Sequence, residues 1–577
     1  MKAWFALGAL SIATAGRAID PAQPPSAPVT APSDSPRAGC PQAQGEPPRR
    51  RPGEPLPQES TAPECDLSHL PPAPTDKLPP PEAFDRWQVI EGLGYPDNWR
   101  NPYATNNPLK GDRPLDDRTR FFSMTASSVS LIESRRVPTA GAALGAAAEG
   151  EEQLFASETA SVDAVLYGGD TIFRPPDYQL RLTPIFNYTN TRTNGVDDST
   201  NSVGAQALFF EKYLRDVSAH YDFDSVRIGI QPLISDFRGF VVSDQPLGVR
   251  LFGTRDNAVY QYNLGWFRRL PKNVNRQNEL GKGVPDNDLV LANLYVQDLW
   301  RAGLTSEFVA LYNRSHGTGA QITGAPPPGT PATFGNGVAH DYHVVYVGYG
   351  VDGHLGRFNL TASVYGVFGR EQDGTFGTVD AQVRAGFAAF ELSRDYDWTR
   401  LRLSGLYASG DGSPFDARAQ GFDGVNQSAL FAGADSSFFI HQRLPLIAGQ
   451  IDLKVRDGLF PNLRSVADPG QSNYNNPGLR LAGLGADFDL APVLRLSLDA
   501  NYLWFDQTAP LITLTGNPTL SRDIGTDLAL DLIYRPLNSQ NVIVRLSAAK
   551  LFAAPAARPL VGGDGPYSAF ASLVLTY

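Results

Sequence analysis

Runs of about ten residues in which apolar and polar side chains alternate recur through the last three quarters of this chain. In Leu494–Trp504 the apolar Leu494, Leu496, Leu498, Ala500, Tyr502 and Trp504 fall on one face, and Arg495, Ser497, Asp499 and Asn501 on the other. Leu528, Leu530, Leu532 and Tyr534 oppose Asp527, Asp531 and Arg535 in the same way, and Val542, Val544 and Leu546 oppose Asn541 and Arg545. Earlier examples are Phe358, Leu360, Ala362 and Val364 against Asn359, Thr361 and Ser363, and Tyr260, Tyr262, Leu264 and Trp266 against Gln261 and Asn263. A period of two is the mark of a β-strand. Ten residues is the length that a tilted strand needs to cross a bilayer.

Alternation alone also fits a soluble sheet with one buried face. Three further features favour a membrane. Trp266, Trp300, Trp398 and Trp504 sit at strand ends, where an interfacial girdle would place them. The polar faces carry Arg and Asp. Brief turns such as 535–540 alternate with long Gly- and Pro-rich connections, one at about 315–341 and another at about 409–442. No apolar run after the first residues is long enough for a membrane helix, so a spanning structure must be a closed barrel.

The two ends of the sequence fit export and insertion. Met1-Lys2, an apolar stretch from Ala3 to Ile12 and small residues up to Ala18 read as a signal peptide over residues 1–18. The last residues place Ala571, Leu573, Leu575 and Tyr577 on one face. This ending resembles the closing strand of Gram-negative outer-membrane β-barrels. The resemblance implies that Leu573, Leu575 and Tyr577 act as the insertion signal read by the barrel-assembly machinery, and that the chain lives in outer-membrane lipid.

Residues 19–82 are dominated by proline, with 19 between Pro21 and Pro81, too little apolar surface to fold on its own and therefore an expected disordered extension. Cys40 and Cys65 lie in it, where they can close a loop in an oxidising compartment or pair with other chains. Residues 83–153 read as an irregular periplasmic or lumen-docking segment, because Trp87, Tyr95, Trp99 and Tyr103 among Asn, Asp, Pro and Gly call for a partner surface. The barrel is then expected over 154–577. At about 23 to 27 residues per strand with its share of loop, it is an all-β, antiparallel transmembrane barrel of about 16 to 18 strands.

The stretch 222–255 is the densest in lumen-directed polar groups. It contains Arg227, Gly229 and Gln231 on the face opposite Val226, Ile228 and Ile230, followed by Asp236, Arg238 and Arg250. It resembles the arginine-bearing strand and loop with which alginate-export and related substrate-specific porins line a charged passage. With the inward faces of the later strands, this gives a candidate pore lining of Arg227, Gln231, Asp236, Arg238, Arg250, Arg402, Arg495, Asp499, Asp531, Arg535 and Arg545. These arginines form a ladder for anionic solutes, or they pair with inward Asp residues and fill the interior.

Other chemistries find no support. The net charge of −11 argues against nucleic acid as a partner. The His residues are scattered, and no zinc, nucleophile-elbow or phosphate-loop motif occurs, so no catalytic residue, metal or cofactor is expected. The expected function is passive diffusion of small polar or anionic solutes. The competing reading is a sheath for a periplasmic export component or a haem electron carrier; the extension also allows a periplasmic partner, and the barrel a homotrimer.

Overall fold

The computed structural model describes residues 86–99, 105–115, 120–138, 150–169, 175–218, 222–316, 341–372, 376, 380–447, 451–464 and 472–577. The signal peptide, the Pro-rich extension with Cys40 and Cys65, and the 317–340 connection lie outside them. No helix among the described residues is long and apolar enough to cross a membrane.

Eighteen strands close into one antiparallel barrel. They are β1 (Arg120–Pro138), β2 (Gly150–Gly168), β3 (Tyr178–Thr193), β4 (Val196–Asp216), β5 (Phe223–Ile230) and β6 (Leu247–Arg255). Then follow β7 (Tyr260–Arg268), β8 (Asp286–Gln297), β9 (Leu304–His316), β10 (Asp341–Leu355), β11 (Phe358–Gln372) and β12 (Ala381–Tyr396). The last six are β13 (Thr399–Ala408), β14 (Leu479–Ala491), β15 (Leu494–Trp504), β16 (Asp523–Tyr534), β17 (Val542–Ala553) and β18 (Tyr567–Thr576). Each strand pairs with the next, and β18 pairs with β1, from Thr576 opposite Ser127 to Tyr567 opposite Arg136. Closure leaves no free sheet edge, so every ladder group is satisfied where no water can serve it.

The outer face carries the apolar half of each alternation. Leu498, Leu528, Leu530, Leu546, Val364 and Phe368 are exposed at the barrel surface, while their neighbours Asp499, Asp527, Asp531, Ser547, Thr361 and Ser363 are buried inside. On β11 the apolar outward row runs from Phe358 to Phe368. That is about 33 Å of strand, or about 25 Å of height at a tilt near 40°, the thickness of a membrane band. Trp300 and Trp398 mark one edge of the band; Trp266 and Trp504 lie toward the other. At the first edge Trp300 Nε1 donates to Tyr349 Oη at 2.6 Å, and Trp398 packs on Phe488 with ring centroids 5.8 Å apart. Leu573 and Leu575 face outward, as expected for a closing strand.

The two ends of the barrel differ. At the end holding the first residue of β1 and the last of β18, no connection is longer than nine residues. At the opposite end seven of the nine connections exceed ten residues. Short periplasmic turns and long outer loops are the barrel arrangement, so both ends of the barrel segment lie on the periplasmic side.

The barrel begins earlier in the sequence than expected. Residues 120–138 form β1 and 150–168 form β2, so the boundary at Leu154 is corrected to Arg120. The reason is composition. The outward positions at mid-strand are Ala126, Ser128, Ser130, Ala156, Glu158 and Ala160, and large apolar outward side chains such as Ile132, Leu154 and Val162 stand only toward the strand ends, so the alternation is broken where the later strands show it best. Residues before Arg120 do dock on the barrel. Leu109 accepts a backbone bond from Met124 at 2.7 Å, Asn107 Nδ2 donates to Tyr577 Oη at 3.2 Å, and Lys110 Nζ lies 4.3 Å from the centroid of the Tyr577 ring.

Candidate functional site: a lumen narrowed by inward loops

A barrel of eighteen strands is too wide for its wall side chains to fill. Two connections from the long-loop end, 231–246 and 269–285, and the described parts of a third, 409–478, fold into the lumen instead of standing outside. Their aromatics make the interior core. Phe387 of β12 stacks on Phe422 at 4.8 Å, Phe460 meets Phe422 at 5.2 Å, and Phe240 lies 5.0 Å from Phe387. Tyr346 of β10 donates to the Asp423 carbonyl at 2.9 Å and lies hydroxyl to hydroxyl with Tyr474 at 2.9 Å.

Wall carboxylates hold these loops by accepting from their backbone. Asp527 of β16 accepts from the N–H of Phe438 at 3.2 Å and of Phe439 at 2.8 Å, and from the Ser437 hydroxyl, clamping the short helix Phe438–His441. Glu133 of β1 accepts from Gln442 and pairs with Arg456 at 3.1 Å. Glu307 of β9 accepts from the N–H of Phe237 at 3.2 Å. Gly204 of β4 serves the same end by having no side chain: a Cβ there would sit 1.8 Å from the Asn278 carbonyl oxygen.

The loops are also tied to each other. Asp244 in the first pairs with Arg269 at 3.0 Å and with Lys272 of the second; Asp244 and Arg269 are buried and the Lys272 side chain is 5% exposed. Burial alone would raise the Asp244 carboxyl, but the two cations hold it down at about 2. Ser243 N–H donates to the Asn426 carbonyl of the third loop at 2.8 Å. At the tip of the second loop Arg276 adopts a left-handed backbone, with φ of 63°, unusual for a residue with a side chain. Its guanidinium donates to the Gln427 carbonyl at 2.6 Å, the Asn426 amide oxygen at 2.8 Å and the Asp457 carbonyl at 2.9 Å. Arg276 is therefore a latch between the second and third loops.

Two polar cavities remain beside this constriction. One, of about 300 Å³, is lined by Gln206, Gln245, Asn275, Arg276, Asn426 and Asp435 among others. The other, of about 310 Å³, lies between Arg238, Asp352, Thr361, Glu391, Arg402 and Asp487. The inward loops occupy lumen that a threading partner would need.

Most of the proposed lining is inward, and most of its charge is paired. Arg402 lies 2.8 Å from Asp499 and 3.2 Å from Asp487, and Arg545 2.6 Å from Asp531 and 2.7 Å from Asp435. Arg238 bonds Glu391 at 3.0 Å, Thr361 at 3.0 Å and the Leu430 carbonyl at 3.1 Å. Arg227 is held by Glu211 at 2.8 Å and lies over the Phe209 ring at 4.4 Å. Arg495 is paired with Asp489 at 2.6 Å and is half-exposed near the short-turn mouth.

Three expectations are corrected. Gln231 is fully buried and donates to the Gly248 carbonyl at 3.1 Å, because the strand ends at Ile230, ahead of Pro232, and the period of two stops there. Asp236 is buried and organises the first loop, accepting from the N–H groups of Arg238, Gly239 and Phe240 at 3.0, 2.7 and 3.1 Å. Arg535 follows β16 in the turn, where its side chain donates to Gln540 at 3.4 Å.

Arg250 stands apart. Its Nε donates to the neutral Asn263 amide oxygen at 2.7 Å, and among the described residues no carboxylate lies within ion-pair distance. It opens onto a cavity of about 230 Å³ with Phe252, Asn293 and Tyr295.

No family model matches the sequence, and no curated protein matches it. Among solved structures, it is similar to three Pseudomonas aeruginosa proteins. OccK9 (OpdG) has 13% identity and a TM-score of 0.43, over 79% of this chain and 98% of that one. OpdK, solved with vanillate, has 11% identity and a TM-score of 0.41, over 79% and 98%. OccK2 (OpdF), solved in complex with glucuronate, has 14% identity and a TM-score of 0.40, over 79% and 95%. The overlaps are loose, and what the lumen can do follows from this chain's own residues.

Proposed function

We propose that this chain is a passive, non-catalytic channel for small polar solutes across the outer membrane, gated in width by its three inward loops. The observation that carries the reading is a polar interior wall whose loops leave small polar cavities beside a latched constriction. Charge pairing along the wall makes the passage weakly selective. Arg250, the inward arginine with only a neutral partner, supplies a modest preference for anionic solutes such as small carboxylates. Rings of charge set selectivity in pores, and a single unpaired guanidinium sets it weakly.

The test is planar-bilayer recording of the purified full chain in a salt gradient. The reading expects small, steady conductance steps and a reversal potential on the anion-preferring side. A clear cation preference would sink the anion assignment, and absence of any conductance from properly assembled protein would sink the channel.

A further inference from the structure

The outer face of the barrel carries one basic row that nothing in the channel reading uses. At the long-loop end Arg314 of β9 lies directly opposite His343 of β10, His343 opposite Arg370 of β11, and Arg370 opposite Gln382 of β12. Arg384 lies two residues further along β12, and Gln382 pairs with Arg418 of the third loop. All of these side chains are exposed, and their chain neighbours Asn313, Tyr342, Glu371, Val383 and Ala419 are buried on the inner side, so the row faces outward.

Its height is fixed by the apolar band. Tyr312, Val345 and Phe368 lie two residues below Arg314, His343 and Arg370 and are the last exposed apolar side chains of their strands. One strand repeat of two residues is about 6.6 Å, so Arg314, His343 and Arg370 stand at the headgroup level of the outer leaflet, with Arg384, opposite Phe368, one repeat lower at the edge of the apolar band. Across four strand spacings the row is about 19 Å long.

Two other outward arginines at this end are neutralised. Arg268 pairs with Asp286 and Asp288 at 2.8 Å each, and Arg480 with Asp506 at 2.6 Å. Among the described residues the guanidinium groups of Arg370, Arg384 and Arg418 have no carboxylate partner, although the Arg418 backbone N–H donates to Asp416 at 2.7 Å, and the Arg314 side chain touches only His316, whose ring pairs with Asp341 at 3.1 Å. A surplus of unpaired guanidinium above an apolar wall is suited to a ligand that is anionic at its head and apolar below. Guanidinium groups bind phosphate oxygens with paired, charge-assisted bonds.

We propose that Arg314, His343, Arg370, Arg384 and Arg418 form a binding site for the phosphate groups of an acylated outer-leaflet glycolipid, whose chains lie on Tyr312, Val345 and Phe368. The site rests on the long-loop end facing outward, and not on conduction, so the two readings can fail separately.

The experiment uses the full chain, delipidated in detergent and examined by native mass spectrometry with three probes: bis-phosphorylated lipid A, the same lipid with its phosphates removed, and inorganic phosphate. Wild type is expected to retain the phosphorylated lipid and not the dephosphorylated one, and a hundredfold excess of inorganic phosphate should not displace it. Each Arg→Gln change is expected to weaken retention about fivefold, the factor for roughly 1 kcal/mol per basic residue at an anionic surface. R370Q alone, R370K and the triple variant R314Q/R370Q/R384Q give the series, with R370K, which keeps the charge but loses the paired bonds, falling between R370Q and wild type. Equal retention by wild type and R370Q overturns the site. Equal retention of dephosphorylated lipid, or displacement by inorganic phosphate, overturns the headgroup assignment. If the triple variant fails to assemble, as read by heat-modifiable gel mobility, the R370Q and R370K pair decides.

Discussion

The inner wall and the outer rim of the same strands treat charge in opposite ways. Inside, Arg402, Arg545, Arg238 and Arg227 each meet a carboxylate, and other carboxylates, Asp527 and Glu133, take the loops. Outside, the row from Arg314 to Arg384 has cations without counter-charges among the described residues. Paired charge positions structure, because neither partner is left to attract anything else. Unpaired charge is what remains for a ligand, and it is concentrated at Arg250 within and at β9 to β12 without.

The sharpest way to break the contrast between faces is to exchange them. Leu498→Arg places a guanidinium on the lipid face in the middle of β15 and is expected to cost about 2 to 4 kcal/mol and to block assembly in outer-membrane preparations. Ser497→Arg, one residue away and inward, should assemble at wild-type level. Equal assembly of the two would overturn the assignment of faces.

Removing a wall clamp comes next. Asp527→Ala deletes the acceptor of three bonds from the third loop, at a cost of about 2 to 4 kcal/mol, and is expected to raise single-channel conductance severalfold by freeing that loop. Arg276→Ala opens the latch from the other side, for about 1 to 3 kcal/mol and a smaller rise. Conductance unchanged in both would mean that the loops do not set the width.

Acid tests the same constriction through Asp244. Its carboxyl is depressed to about 2 by Lys272 and Arg269, against about 3.9 in an unfolded chain. A depressed pKa contributes stability that is complete above the unfolded value and is lost as pH falls through the folded one. Conductance should therefore hold from pH 7 to about 4, as far as this pair is concerned, and rise between about 4 and 2 as the first two loops separate. The Asp244→Asn variant should show the open behaviour already at pH 7.

The smallest effect is expected at Arg250. Arg250→Gln should leave conductance within about twofold of wild type and shift the reversal potential toward cation preference by only a few millivolts. A large loss of conductance instead would place Arg250 in the structural class of its paired neighbours.

What could be read from the sequence follows the same division. Strands such as Leu494–Trp504 and Asp523–Tyr534 declare themselves because large outward leucines alternate with inward Asp and Asn. β1 and β2 do so less, since Ala, Ser and Glu158 occupy the outward positions at mid-strand. The basic row is not legible in the sequence because its members lie on separate strands, and only the register brings Arg314, His343 and Arg370 side by side. The inward course of the loops was hidden because Gly, Asn and Ser mark a connection without saying which way it folds. One signal was present: Phe422, Phe438, Phe439 and Phe460 in a nominal outer loop are too many large aromatics to leave in water, and all four are buried. Arg402, Arg545 and Asp499 were found as inward groups, but their pairing required knowing which strands are neighbours.

The most direct measurement is single-channel recording of wild type beside Asp527→Ala and Arg276→Ala, in the same bilayer and salt. The constricted-channel account predicts small steps for wild type and larger ones for both variants, with Asp527→Ala the larger. Silence from all three assembled proteins would contradict it.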